Sequence, residues 1–232
     1  MTDAPIALVG SGEYLPVMAE IEGALIAGRG NRYVQVATAA APEGDESVTR
    51  WHRLGAEQAE RLGVEQVVVD VRTREDAADP KWVELIAGAG LIYLSGGNPS
   101  YLAETLRDTP VWDAIVAAHR GGSAVAGCSA GAMALSDWAP RIRDVRSEPV
   151  SGLGLVSHIR VLPHFDRMAA WVPDILRNAL LKLPEGSTLV GIDEDTAMVG
   201  GPSEWTVQGR QSVWVLGHGH RVEYRPGDRI TT

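Results

Sequence analysis

The chain has 232 residues, 45% of them apolar, enough for one α/β domain to bury a substantial core and too many for a disordered chain. Its net charge of −9, from 21 basic and 30 acidic residues, argues against nucleic acid as the main partner, because phosphate binding needs a basic footprint. The single cysteine, Cys128, excludes an internal disulfide and a cysteine-rich zinc site.

No apolar run reaches the roughly 18 residues that span a bilayer. The opening Met1-Thr2-Asp3-Ala4-Pro5 is acidic and leads straight into a short apolar run, unlike a secretion signal. The expectation is a cytoplasmic protein built as one domain over residues 1–232, with no linker, repeat or low-complexity stretch.

In chain order, short apolar runs alternate with amphipathic ones. Ile6-Ala7-Leu8-Val9 stops at Gly10-Ser11-Gly12, and Tyr33 to Ala37 stops at a small-residue loop holding Pro42 and Gly44. A helix-like segment from about Ser47 to Leu62 precedes the run Val67 to Val71. Leu91-Ile92-Tyr93-Leu94 stops at Ser95-Gly96-Gly97, and a helix-like stretch from Tyr101 to His119 follows. Ala124 to Gly127 then leads to Ser129. Near-continuous apolar strands separated by helices predict a mostly parallel sheet covered on both faces. Sites in such sheets form where loops leave the C-terminal strand ends, and three of these loops are rich in Gly, Ser and Asn. The last third differs: Trp205-Thr206-Val207, Val213 to Leu216 and Arg221 to Tyr224 are short strands between turns, expected as a β-rich C-terminal extension on the same domain.

Gly127-Cys128-Ser129-Ala130-Gly131 fits the G-x-S-x-G elbow, in which a sharp strand-to-helix turn projects a serine into the cleft. The N–H of Ala130 opens the helix and can donate to an oxyanion. Cys128 is the rival nucleophile, but its register points it into the fold, where a cysteine is inert. Among six histidines, His52 and His119 lie in helix-like stretches and are expected at the surface. His158 precedes the strand-like Ile159 to Leu162, and His164 follows it behind Pro163, over the same cleft edge as Ser129. Three acids, Asp193-Glu194-Asp195, follow an apolar strand, and one of them bonded to an imidazole would fix its tautomer. Two orders stay open: Ser129, Asp193 and His218 or His220, as in an α/β-hydrolase esterase, or Ser129, His164 and Glu194. His218-x-His220 lacks the further ligands a metal needs, so no metal and no cofactor are expected.

Together these motifs resemble peptidase family S51, which includes aspartyl dipeptidase E and cyanophycinase. The resemblance rests on Gly127 to Ala132, Ser95-Gly96-Gly97-Asn98, Gly152-Leu153-Gly154-Leu155 leading to His164-Phe165, Gly191 to Ala197, and Val215 to Gly219. It implies a three-layer α/β sandwich like the class I glutamine amidotransferases, of flavodoxin-like type, with serine replacing their cysteine. It implies a Ser129-His164-Glu194 triad and an oxyanion hole made by Gly97 and Ala130. It also implies hydrolysis of short peptides with an acidic residue on the acyl side of the bond. The expected partners are that peptide and at most a second copy of the chain as a homodimer, with neither nucleic acid nor membrane. The candidate substrate contacts are Asn98, where the family commonly has Gln, and Arg167, the one basic match after the histidine; a guanidinium suits a carboxylate. Arg141, Arg143 and Arg146 form a second arginine supply. The competing reading in a different class is a non-catalytic domain of the same fold that binds a ligand or partner.

Overall fold

The computed structural model describes residues 4–144, 147–168, 183–217 and 220–232. The first half alternates strands and helices: β1 (Ile6–Val9), α1 (Ala19–Ile26), β2 (Arg32–Val36), α2 (Asp45–Leu62), β3 (Glu65–Val68), α3 (Pro80–Ile86), β4 (Leu91–Leu94), α4 (Pro99–Leu106), α5 (Pro110–Arg120) and β5 (Ala124–Cys128). Then come α6 (Ala130–Ala134), the short pair β6 (Trp138–Ala139) and β7 (Val150–Ser151), β8 (Ile159–Leu162) and α7 (Phe165–Met168). The chain closes on strands β9 (Thr188–Ile192), β10 (Thr196–Gly200), β11 (Glu204–Gly209), β12 (Val213–Gly217), β13 (His220–Tyr224) and β14 (Arg229–Thr231).

Among the described residues the main sheet has eight strands in the order β3-β2-β4-β5-β1-β10-β11-β14. The first five are parallel, and β10, β11 and β14 add antiparallel. A large, mostly parallel sheet in a mixed α/β fold therefore answers the alternation seen in the sequence. Side chains alternate between its faces, as the pleat requires. Ala7, Val9, Tyr33, Tyr93 and Ala126 pack with Ile21 and Leu25 of α1 and with Leu54 and Ala59 of α2. Ile6, Leu8, Val34, Ile92, Leu94 and Val125 pack toward Leu102 and Leu106 of α4 and Ile115 of α5.

Two expectations need correction. The stretch from Tyr101 to His119 is two helices, because Pro110 cannot continue α4 and instead opens α5, with the Thr109 side chain accepting from Trp112 N–H at 3.3 Å. The strands of the last third, expected as one β-rich extension on the same domain, are divided between two sheets. β10, β11 and β14 widen the main sheet, while β12 and β13 join β8 and β9 in a second sheet ordered β13-β12-β9-β8. The chain passes between the two sheets three times, at 193–195 after β9, at 210–212 after β11 and at 225–228 after β13.

Candidate active site

Where β5 ends, Ser129 has φ 49° and ψ −107°, a conformation that non-glycine residues rarely adopt and that marks strained, functional turns. The turn closes because Gly131 sits against β4: a Cβ there would lie 2.3 Å from the Leu94 carbonyl oxygen. The Ser129 N–H donates to the Val9 carbonyl at 2.9 Å, tying the elbow to β1. Ala130 opens α6, so its N–H has no acceptor within that helix. Cys128 is fully buried; burial, reinforced by nearby Glu13, pushes its thiol well above the usual range and leaves it protonated.

The neighbouring strand β4 releases the loop Ser95-Gly96-Gly97-Asn98. Gly97 has φ +137°, and a Cβ on it would lie 2.3 Å from the Ala39 carbonyl oxygen, so only glycine fits. Asn98 does not have a free side-chain carbonyl. Its Oδ1 caps α4, accepting from Tyr101 N–H at 3.1 Å and from Ser100 Oγ at 2.9 Å.

His164 leaves the C-terminal end of β8, also with positive φ (49°). Its place is set by the next residue: the Phe165 ring lies where a Gly191 Cβ would be, 2.4 Å from the ring. β8 and β9 are parallel neighbours, with Leu162 paired to Gly191, so His164 and Glu194 leave the same edge of the second sheet. The imidazole spans the gap to the main sheet. His164 Nε2 lies 3.1 Å from Ser129 Oγ, and Nδ1 lies 3.0 Å from Glu194 Oε1. Glu194 is itself held: its N–H donates to Asp166 Oδ1 at 3.0 Å, and Gln211 Nε2 donates to its carbonyl at 3.0 Å. Arg167 Nε approaches Glu194 Oε2 at 3.4 Å, with a side chain 74% exposed.

The other two acids of the turn face elsewhere. Asp193 is buried and accepts from Trp214 Nε1 at 3.1 Å and Ser212 N–H at 3.2 Å; burial raises its carboxyl, opposed by the Trp214 bond. Asp195 pairs with Arg210 at 3.7 Å. The esterase order is thus not assembled from Asp193, and its partner His218 lies outside the described residues, as does Arg146. No group of three or more metal-ligating side chains occurs among the described residues. His158 bonds Thr232 Oγ1 at 3.1 Å, away from Ser129. His119, expected at the surface, is buried, with Nδ1 3.1 Å from the Ser123 carbonyl, because the end of α5 folds back onto the turn into β5. His52 is half-buried, and that burial lowers its pKa. Arg141 and Arg143 pair with Glu104 and Glu43.

Three residues at the site were not singled out from the sequence: Glu13, Asp166 and Gln211. Glu13 had a signal, an acid directly after a strand-ending Gly-Ser-Gly loop. Asp166 and Gln211 had none, since their roles depend on contacts between segments distant in the chain.

Comparison with known proteins assigns the chain to a family. The family model for peptidase family S51 matches residues 6–204. Cyanophycinases from Nostoc sp. and Trichormus variabilis are each 28% identical over 208 residues, covering 82% of this chain and 65% of theirs. The chain thus spans just under two thirds of the length of these curated relatives. The crystal structure of a peptidase from an acI-B1 actinobacterium is 42% identical, with a TM-score of 0.91 over 99% of this chain and 97% of that one. A peptidase E protein from Listeria monocytogenes EGD-e shares the fold at a TM-score of 0.59 and 18% identity, over 97% of this chain and 99% of that one. With the family model matched along most of its length, the chain belongs to peptidase family S51.

Proposed function

We propose that the protein is a serine peptidase acting on short peptides through Ser129, His164 and Glu194. The observation that carries this reading is the continuous relay from Ser129 Oγ to His164 Nε2 at 3.1 Å and from His164 Nδ1 to Glu194 Oε1 at 3.0 Å. Glu194 accepts a hydrogen bond from Nδ1–H and so holds the ring in the tautomer whose Nε2 is bare to receive the proton of Ser129. Ser129 attacks the scissile carbonyl, and the oxyanion takes the N–H groups of Gly97 and Ala130. The imidazolium returns its proton to the leaving amine, and water then resolves the acyl-enzyme by the same route. The amidotransferase-like classification belongs to the same reading, with serine standing where that fold carries cysteine.

The preferred acyl-side residue is acidic in this proposal, with Arg167 as the receiving cation. Its contact to Glu194 is a 3.4 Å pair on a 74% exposed side chain, so solvent screens it and it can be exchanged for a substrate carboxylate. The decisive experiment is labelling with a fluorophosphonate, followed by cleavage assays on an Asp-X peptide and its Asn-X isostere. Covalent adduct on Ser129 and faster cleavage of Asp-X are expected. Absence of adduct overturns the serine peptidase, and equal rates overturn the acidic preference.

A further inference from the structure

Glu13 is 6% exposed, and its carboxyl spans two turns that lie 32 residues apart in the chain, at Gly96 and Cys128. Its Oε1 accepts the N–H of Gly96 at 2.9 Å, and its Oε2 accepts the thiol proton of Cys128 at 2.7 Å. Gly96 immediately precedes Gly97, and Cys128 is two residues before Ala130. These are the two turns whose N–H groups would bind the oxyanion. The carboxyl reaches them because β1 lies beside β5 and β5 beside β4, all parallel, so the loop after β1 and both turns leave the same end of the sheet. Packing is close: a Cβ on Gly96 would lie 2.7 Å from Glu13 Oε1 and 3.5 Å from Ser129 Cβ.

Burying a carboxyl against neutral donors is unfavourable unless its oxygens are well used. Here each oxygen fixes one wall of the same small space. An oxyanion hole stabilises the transition state only when its donors are already aimed, and small misplacements lose much of that gain. Cys128 suits the far end, since its raised thiol stays a proton donor at neutral pH.

We propose that Glu13 is a positioning residue that sets the spacing between the Gly97 and Ala130 N–H groups, with Cys128 as its anchor on the nucleophile turn. The inference rests on the serine-peptidase reading above.

The test uses Glu13→Gln, Glu13→Asp and Glu13→Ala in the full chain, with a cleaved peptide and a fluorophosphonate whose phosphoryl oxygen enters the same space. Gln keeps an acceptor for Gly96, whereas Asp is one methylene too short to span both turns. The expected kcat falls by less than about threefold for Gln, about tenfold for Asp and about thirtyfold or more for Ala, with KM within about threefold throughout. Phosphonylation should slow in the same order. The acid limb of the kcat/KM profile should stay in place, because His164 is untouched. Wild-type kcat in folded Asp and Ala variants overturns the proposal. So does a loss that merely follows the folded fraction in thermal melts, or a failure of both variants to fold, since either assigns Glu13 to stability alone. Failure of the peptidase reading is separate: the wild type itself would then neither label at Ser129 nor cleave.

Discussion

The turn that carries Ser129 and the edge that carries His164 and Glu194 are built in opposite ways. Ser129 sits in a turn whose geometry is local: β5, a strained residue and α6 follow one another within eleven residues, from Ala124 to Ala134. His164 and Glu194 come from a second sheet and lie 30 residues apart in sequence. They meet Ser129 only because β8 and β9 are parallel neighbours and the turn after β9 crosses into the main sheet. One part of such a site is fixed by steric rules within a segment, the other by how two sheets are joined. The two parts should therefore fail differently when perturbed.

The largest expected effect is on the local part. Ser129→Ala should remove activity by several orders of magnitude in kcat, leaving what binding and the oxyanion donors provide, while Cys128→Ala loses no more than severalfold. Equal and large losses in both folded variants would move the nucleophile away from Ser129.

On the second sheet, Glu194→Gln should lower kcat by about 10³–10⁴-fold, as losing the acid that orients an imidazole does elsewhere. Asp195→Asn should have little effect, and Asp193→Asn should act on stability first, through its bonds to Trp214 and Ser212. If Asp193→Asn proved the most damaging to kcat, the crossing turn would present a different carboxyl from the one described.

A third measurement probes the buried contacts that join α1 to β2 and α2. Glu22 is buried and accepts from Tyr33 OH at 2.8 Å and Gln58 Nε2 at 2.9 Å, and burial raises its carboxyl from 4.5 to about 7. The folded state then holds this proton more tightly than the unfolded chain, so the contribution to stability is present below pH 4.5 and is lost as pH rises toward 7. Relative to Glu22→Gln, the wild type should lose on the order of 3 kcal/mol between those limits in denaturant titrations. Parallel pH curves for the two proteins would remove Glu22 as a titrating group.

Gly191→Ala sharpens the comparison directly. The added methyl collides with the Phe165 ring, so about 1–3 kcal/mol of stability should go, together with kcat, as His164 is pushed from Ser129. Retained kcat in a folded Gly191→Ala protein would show that the two sheets can adjust without moving the imidazole. The smallest effect concerns specificity. Arg167→Ala should erase a preference for Asp-X over Asn-X of about tenfold, roughly 1.4 kcal/mol. A preference that survived in this variant would place the substrate carboxylate on another cation.

The five parallel strands of the main sheet were legible because they are short apolar runs in a chain that alternates with helices, and the elbow because Gly127, Ser129 and Gly131 sit in one strand-to-helix context. The break between α4 and α5 was written in Thr109-Pro110 but hidden by apolar spacing that continues across it. The pairing of β12 and β13 with β8 and β9 was not legible, since a short alternating strand carries no label for its partner sheet.

The α/β alternation, the strand-to-helix turn at Ser129 and a short list of candidate bases and acids can be read along the chain, because these depend on neighbours within a few residues. Only the tertiary structure decided that Glu194 rather than Asp193 faces His164, that Asn98 caps a helix, that Arg167 rests on Glu194, and that Glu13 bridges Gly96 and Cys128. The physical reason is that adjacent carboxyls are chemically alike along the chain. They become different when one loses its water to a tryptophan N–H and the next is turned by the following strand toward an imidazole.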